Sequence, residues 1–357
     1  MSPSTRKAIV LLALAAMVAV VLPAMPVGAA GHVEIIHEFE SNLFAPCGLT
    51  PGDECPEGVA VDKRGNVYVS LDALGEIRKF TPSGEMTTLV DFESSGALGL
   101  AVDAQGNVYV AREDDPNNGV YKVDRRGHAE RLPGTEAIVL PNALAFDKRG
   151  NLYVSETFSF DPDTLETYDD CGGGKFGDGA IWRIPKRGET ELWLRDELLT
   201  GLCLPNPIPF PIGANGIAYR HGAIYVANTE KSTIVRIPVE KDGSAGTPEV
   251  VATVTGFDPE LGPPALDGIA LDVHGNIFAA VINQSRIVRI GHDGSETDVA
   301  TSADGLDFPA SLAFGTGTGA RKSMFVTNYA IGPPPVATGI GPSLIEINVG
   351  VPGMPLP

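Results

Sequence analysis

Histidine, cysteine and tryptophan are scarce in this 357-residue chain, at six, four and two copies, and aromatic residues make up only 7% of it. No Cys-x-x-Cys pair is present, which removes zinc ribbons and dithiol redox sites. No P-loop and no Gly-x-Ser-x-Gly elbow occurs, and no dinucleotide fingerprint stands in its strand-to-helix setting. Cationic residues are few as well: 26 Lys and Arg face 45 Asp and Glu, for a net charge of −19. A balance that acidic argues against nucleic acid or an anionic membrane as partner. After Leu22 no apolar stretch is long enough to span a bilayer.

The one long apolar run is AIVLLALAAMVAVVL, Ala8 to Leu22, preceded by Arg6 and Lys7 and followed by small residues up to Ala29 and Ala30. Basic, then apolar, then small is a signal-peptide order, with cleavage after Ala29 or Ala30. It divides the chain into residues 1–30 as signal peptide and 31–357 as a single exported domain, secreted or otherwise extracytoplasmic. An uncleaved N-terminal anchor is the alternative. An even number of cysteines in an exported chain suggests disulfides, and the expected pairs are Cys47 with Cys55 and Cys171 with Cys203.

Repetition is what the chain has in abundance. EGVAVDKRGNVYVS (Glu57 to Ser70) returns as LGLAVDAQGNVYVA from Leu98 and NALAFDKRGNLYVS from Asn142. It returns again as NGIAYRHGAIYVAN from Asn215, DGIALDVHGNIFAA from Asp267 and ASLAFGTGTGARKSMFVTN from Ala310. Alternating apolar residues around a short turn read as a β-hairpin. Five copies are followed by a second strand pair, whereas the sixth has only SLIEINV; HVEIIHEF, just after the signal segment, supplies the missing strand. Four-stranded units at a period of roughly 40 to 70 residues predict an all-β, six-bladed β-propeller. Closure by the N-terminal strand would hide its open edges. Turns inside the hairpins then fall on one face, the bottom. The links between hairpins and between blades fall on the top, where the long loops 157–179, 196–213, 257–266 and 329–342 gather.

The residue just before each inner strand is expected near the axis at the top. Around the ring that position holds Glu57, Leu98, Asn142, Asn215, Asp267 and Ala310. Two carboxylates and two carboxamides converging, without His or Cys, make a site for a hard divalent cation, and Ca2+ suits such a flexible all-oxygen shell better than Mg2+. The next position holds Gly58, Gly99, Ala143, Gly216, Gly268 and Ser311, small enough for the backbones to crowd the axis, with the Ser311 hydroxyl beside the ion. Polar residues near the ends of the second strands, Arg112, Glu113, Glu156, Asn228, Asn283 and Asn328, are candidates to line a pocket above it. The histidines fall in the closing strand or in bottom turns, so a Ser-His-Asp triad or a histidine base is excluded.

EGVAVD, NGIAY and DGIALD, in that order, resemble the senescence marker protein, gluconolactonase and luciferin-regenerating enzyme family across essentially the whole chain after residue 30. The resemblance implies Glu57, Asn142, Asn215 and Asp267 as ligands of a catalytic calcium or other divalent ion. In the related organophosphate-hydrolysing propellers a serine sits nearby, and Ser311 matches it. Two departures stand out. Glu57-Gly58-Val59 replaces the usual Glu-Gly-Pro, and Leu140 and Ala143 stand where sugar-lactonase members carry Arg and Asp. The metal pattern therefore carries over, but the sugar-recognition groups do not.

The reading that follows is a monomeric, calcium-dependent hydrolase of a small-molecule ester or lactone, with Asp267 or Glu57 activating water or attacking directly. Ser311, Arg112, Glu156, Asn228 and Asn328 are its substrate-binding candidates. A non-catalytic binding propeller with a structural ion is the alternative. A lyase or condensing enzyme on the same scaffold is a third that no residue selects.

Overall fold

The computed structural model of the chain describes residues 33–41, 47, 52–160, 176–177, 179–202, 211–256, 263–330 and 340–355. The signal segment, Cys171 and Cys203 lie outside these residues. Six antiparallel four-stranded sheets form the blades of a β-propeller. Their inner strands are Pro56–Val61, Ala97–Val102, Pro141–Phe146, Ala214–Arg220, Leu266–Leu271 and Pro309–Phe314. Each inner strand packs against the next, and the sixth against the first. Blade six is completed by Val33–Glu38 pairing with Ser343–Asn348, the expected closure of last blade by first strand.

The apolar alternation is absorbed at the seams. Each of six buried clusters draws its residues from two neighbouring blades: Val59, Val69 and Leu71 of blade one, for example, meet Phe325 and Leu344 of blade six. No blade could bury its faces alone, so the ring is the cooperative unit. A tunnel of about 220 Å³ runs down the axis, lined by Ala, Val, Leu and Ile side chains of the inner strands, with Met354 and Pro355 at its lower mouth.

The bottom turns repeat one device. In blade one Asp62 Oδ1 accepts from the Arg64 and Asn66 N–H groups (2.8 and 2.9 Å), and Asn66 Nδ2 donates to Asp62 Oδ2 at 2.7 Å. The left-handed Gly65 (φ 83°) closes the turn, as glycine does at low cost. Asp103, Asp147 and Asp272 make the same three bonds. At the top, Cys47 and Cys55 form the first expected disulfide, with Cα atoms 5.7 Å apart.

Candidate functional site

The six positions expected at the tunnel mouth lie inside the inner strands, one residue in from their start, rather than just before them. In every blade the pairing register shifts at this point: between Pro56 and Val59, Ala97 and Leu100, Pro141 and Leu144, Ala214 and Ile217, Leu266 and Ile269, and Pro309 and Ser311. A bulge re-aims the side chain that it carries. Here each bulge carries one member of the Glu57, Leu98, Asn142, Asn215, Asp267, Ala310 set.

Small residues beside the bulges allow the crowding that the ring needs. A methyl group on Gly216 would lie 2.2 Å from the Asp267 carbonyl oxygen, and one on Gly58 would lie 2.5 Å from that of Leu98. Hydroxyls of the second strands stitch the ring from behind. Ser70 Oγ accepts from the Gly58 N–H (2.7 Å) and donates to the Leu98 carbonyl of the next blade (2.6 Å). Thr327 Oγ1 accepts from the Ser311 N–H (3.0 Å) and donates to the Glu57 carbonyl (2.6 Å), tying blade six to blade one.

Glu57 and Asp267 are both buried, each 8% exposed, and Asn215 is 7% exposed. Burial drives the Glu57 carboxyl well above the ordinary range, and the charges of Asp267, Asp72 and Glu113 raise it further. Asp267 is pushed up to about 7 by burial, against one hydrogen bond from Asn215. Asn215 Nδ2 also donates to Thr229 Oγ1 at 3.1 Å, and Asn215 Oδ1 is buried without a partner among the described residues. Asn142 is half-buried on its bulge. Two desolvated acids beside an orphaned carboxamide oxygen form a donor set that fits a hard divalent cation. Among the described residues no three His, Cys, Asp or Glu side chains converge on one point. An ion here would therefore take two carboxylates, with carboxamide and other neutral oxygens completing its shell.

The strand-end candidates are placed differently from the expectation. Arg112 is buried with its guanidinium over the Phe92 ring (4.2 Å), and Nη2 donates to Ser94 Oγ (2.7 Å). Glu156 accepts from the Val139 N–H (2.7 Å) and Trp182 Nε1 (2.9 Å). Asn228 Nδ2 donates to the Leu198 and Thr200 carbonyls, and Asn328 Nδ2 to the Gly305 carbonyl and Ser343 Oγ. All four clamp loops rather than line a pocket. Asn283 sits in a short 3-10 turn, Ile282–Gln284. Ser311 is half-buried and lines the tunnel.

The ring around the bulges is instead one residue further on, and five of its six members are polar: Asp72, Glu113, Thr157, Thr229, Ile282 and Tyr329. Each donates its N–H to the carbonyl two residues before a bulge position, namely that of Cys55, Gly96, Leu140, Gly213, Ala265 or Phe308. Strand side chains alternate, so a one-residue step turns the side chain from the loop toward the axis. Tyr329 donates its hydroxyl to Asp72 across the blade six to blade one seam (2.7 Å). Burial, then the charge of Asp72, pushes the Tyr329 phenol far up. Burial and the charges of Asp72 and Asp114 push Glu113 up to about 7, and burial raises Asp72. Thr157 Oγ1 is a second buried oxygen without a partner among the described residues. Of this ring, sequence reasoning had only Glu113. The signal for the rest was the constant offset of fifteen residues from Glu57, Leu98 and Asn142 to Asp72, Glu113 and Thr157.

Residues 211–330, which include Asn215, Asp267 and Ser311, match the family described as SMP-30/Gluconolactonase/LRE-like region. No curated protein matches the chain in sequence. Among solved structures, a luciferin-regenerating enzyme superposes with a TM-score of 0.63 at 16% identity, over 91% of this chain and 97% of that one. Regucalcin from Agrobacterium tumefaciens strain C58, a calcium-binding protein, gives 0.61 at 18%, over 92% and 96%. A gluconolactonase from Xanthomonas campestris gives 0.59 at 18%, over 94% and 99%. At such identities the likeness is one of fold. The chain is thus a six-bladed β-propeller whose residues 211–330 form an SMP-30/gluconolactonase/LRE-like region.

Proposed function

We propose that the protein is an exported hydrolase of uncharged esters or lactones, working with a hard divalent cation, Ca2+ first, held by Glu57, Asn142, Asn215 and Asp267. The observation that carries this reading is the pairing of Glu57 and Asp267, two buried acids whose charge no described side-chain cation offsets, with the orphaned Asn215 Oδ1 on the blade next to that of Asp267. Leaving such groups buried without a compensating partner is costly. A bound cation would supply Lewis-acid charge for the carbonyl oxygen of the substrate. Asp267, with Glu57 as its alternative, takes the proton of the attacking water. Glu113, outside the donor set and near neutral in pKa, passes that proton on. The hydroxyls of Thr157 and Tyr329 and the carboxyl of Asp72 surround the reacting group. A mouth so acidic disfavours an anionic substrate, while the likeness to gluconolactonase and to calcium-binding regucalcin supports the substrate class and the ion.

Calcium titration of the purified protein by calorimetry, beside Glu57→Gln and Asp267→Asn, tests the site, and a panel of aryl esters and lactones tests the chemistry. One calcium bound by wild type, lost in both variants together with turnover, is the expected result. Leu140 and Ala143, in place of the family's Arg and Asp, favour the second reading, a binding propeller. Calcium binding with no turnover on any member of the panel would select it.

A further inference from the structure

We infer that the bottom face of the propeller, along the arc of blades six, one, two and three, docks on an anionic lipid surface. The net charge of −19 conceals a separation of charge between the two faces. Five dibasic pairs, Lys63-Arg64, Arg125-Arg126, Lys148-Arg149, Lys186-Arg187 and Arg321-Lys322, all occupy bottom turns, and all ten residues are exposed. Among the described residues the turns of that arc expose two acids, Glu85 and Glu189, and half-expose two more, Asp103 and Asp124. The opposite face exposes five acids, Asp91, Glu93, Asp115, Glu136 and Glu197, against two bases, Arg131 and Arg195. Blades four and five end the arc, because their bottom turns expose Glu240, Asp242 and Asp293.

The pairs form one continuous surface. A crevice between blades six and one is lined by Arg321 and Lys63. The next, between blades one and two, shares Lys63 and adds Arg64, Lys79 and Arg125. A third, between blades two and three, shares Asp103 to Gln105 and adds Lys122, Lys148, Arg149 and Lys186. The turns that carry the pairs end these strands at the same side of four successive blades, so the charges are spread over a broad face rather than along a single groove. That layout suits a planar array of headgroups better than one extended polyanion.

Each basic residue near an anionic bilayer strengthens binding about fivefold, and salt screens the effect. Residues 31–357, which hold every strand of the ring, would be sedimented with vesicles of phosphatidylcholine alone and of phosphatidylcholine mixed with phosphatidylglycerol. Binding to the mixed vesicles only, weakened by salt, is expected. Changing Arg125, Arg126, Lys148 and Arg149 to Glu should reduce it at least about a hundredfold, and Lys186→Gln with Arg187→Gln about tenfold, with melting temperatures unchanged. The milder variant keeps the test open if the fourfold change fails to fold. Equal binding to neutral vesicles, undiminished binding by folded variants, or binding to heparin with none to either vesicle would overturn the assignment.

Discussion

The inner strand of blade one buries Glu57 near its upper end and, five residues on, Asp62 at its lower end; blade five does the same with Asp267 and Asp272. The lower acids accept two backbone N–H bonds and a carboxamide bond each, all within four residues of themselves. The upper acids are buried as deeply, and burial drives their carboxyl groups upward in pKa; the charges of neighbouring acids add to the rise at Glu57, and the single hydrogen bond from Asn215 only partly opposes it at Asp267. A carboxylate enclosed by donors is part of the fold, whereas one enclosed without them implies a missing cation or a held proton. Depth of burial is shared by the two ends, so the donor inventory is what separates scaffold from site.

The comparison can be broken most directly by exchanging the ends. Asp267→Asn is expected to lower calcium affinity at least about a hundredfold, since one of two ligand charges is lost, while leaving metal-free melting unchanged or higher. Asp272→Asn should do the reverse, keeping calcium affinity and costing about 2–4 kcal/mol of stability through lost turn bonds. Calorimetric titration and denaturant melts of both proteins check this. Equal calcium affinity in the two variants would remove the distinction.

Gly216→Ala tests whether the bulge geometry holds the site. Its methyl group meets the Asp267 carbonyl oxygen 2.2 Å away, so the neighbouring strand must move. The expected cost is about 1–3 kcal/mol of stability, and calcium affinity falls with it. Gly222→Ala, in open space but at φ 82°, should cost a comparable amount of stability and spare the ion.

A pH series sharpens the contrast further. Asp267 and Glu113 have folded-state pKa values near 7, above those of unfolded carboxyls. Their contribution is fully present below about pH 4 and is lost as pH rises through about 7. Metal-free protein should therefore melt at lower temperature from pH 5 to about 8. Added calcium should restore most of the loss at the upper end and little at the lower, as scanning calorimetry would show.

The architecture was legible because it is written six times over, in period-two alternation and in turns whose Asp, Gly and Asn stand at fixed spacing. The column of positions that the bulges carry was legible for the same reason. The polar ring above it was misplaced by one residue: Glu156 and Asn228 are polar, end their strands and look available, yet alternation turns them outward to clamp loops. Asp72 and Tyr329 could not be paired from sequence, because their contact spans 257 positions and depends on ring closure. The separation of charge escaped as well, since a net charge averages over two faces of opposite sign.

The smallest expected effect is the finest test of how the scaffold serves the site. Ser70 and Thr327 make the same stitch, accepting an N–H from their own inner strand and donating to a carbonyl of the next blade. Their receivers differ: Ser70 holds Leu98, which offers no ligand, and Thr327 holds Glu57. Ser70→Ala and Thr327→Ala should each cost about 1 kcal/mol of stability, the worth of one buried hydrogen bond. Thr327→Ala alone should also weaken calcium binding, by about threefold to tenfold, because the backbone of a ligand loses its tether. Thr327→Ser keeps the hydroxyl and should restore the affinity. If Ser70→Ala weakens the ion equally, the stitches set the tightness of the whole ring rather than the aim of one residue, and the site belongs to the closure of the propeller as much as to its four side chains.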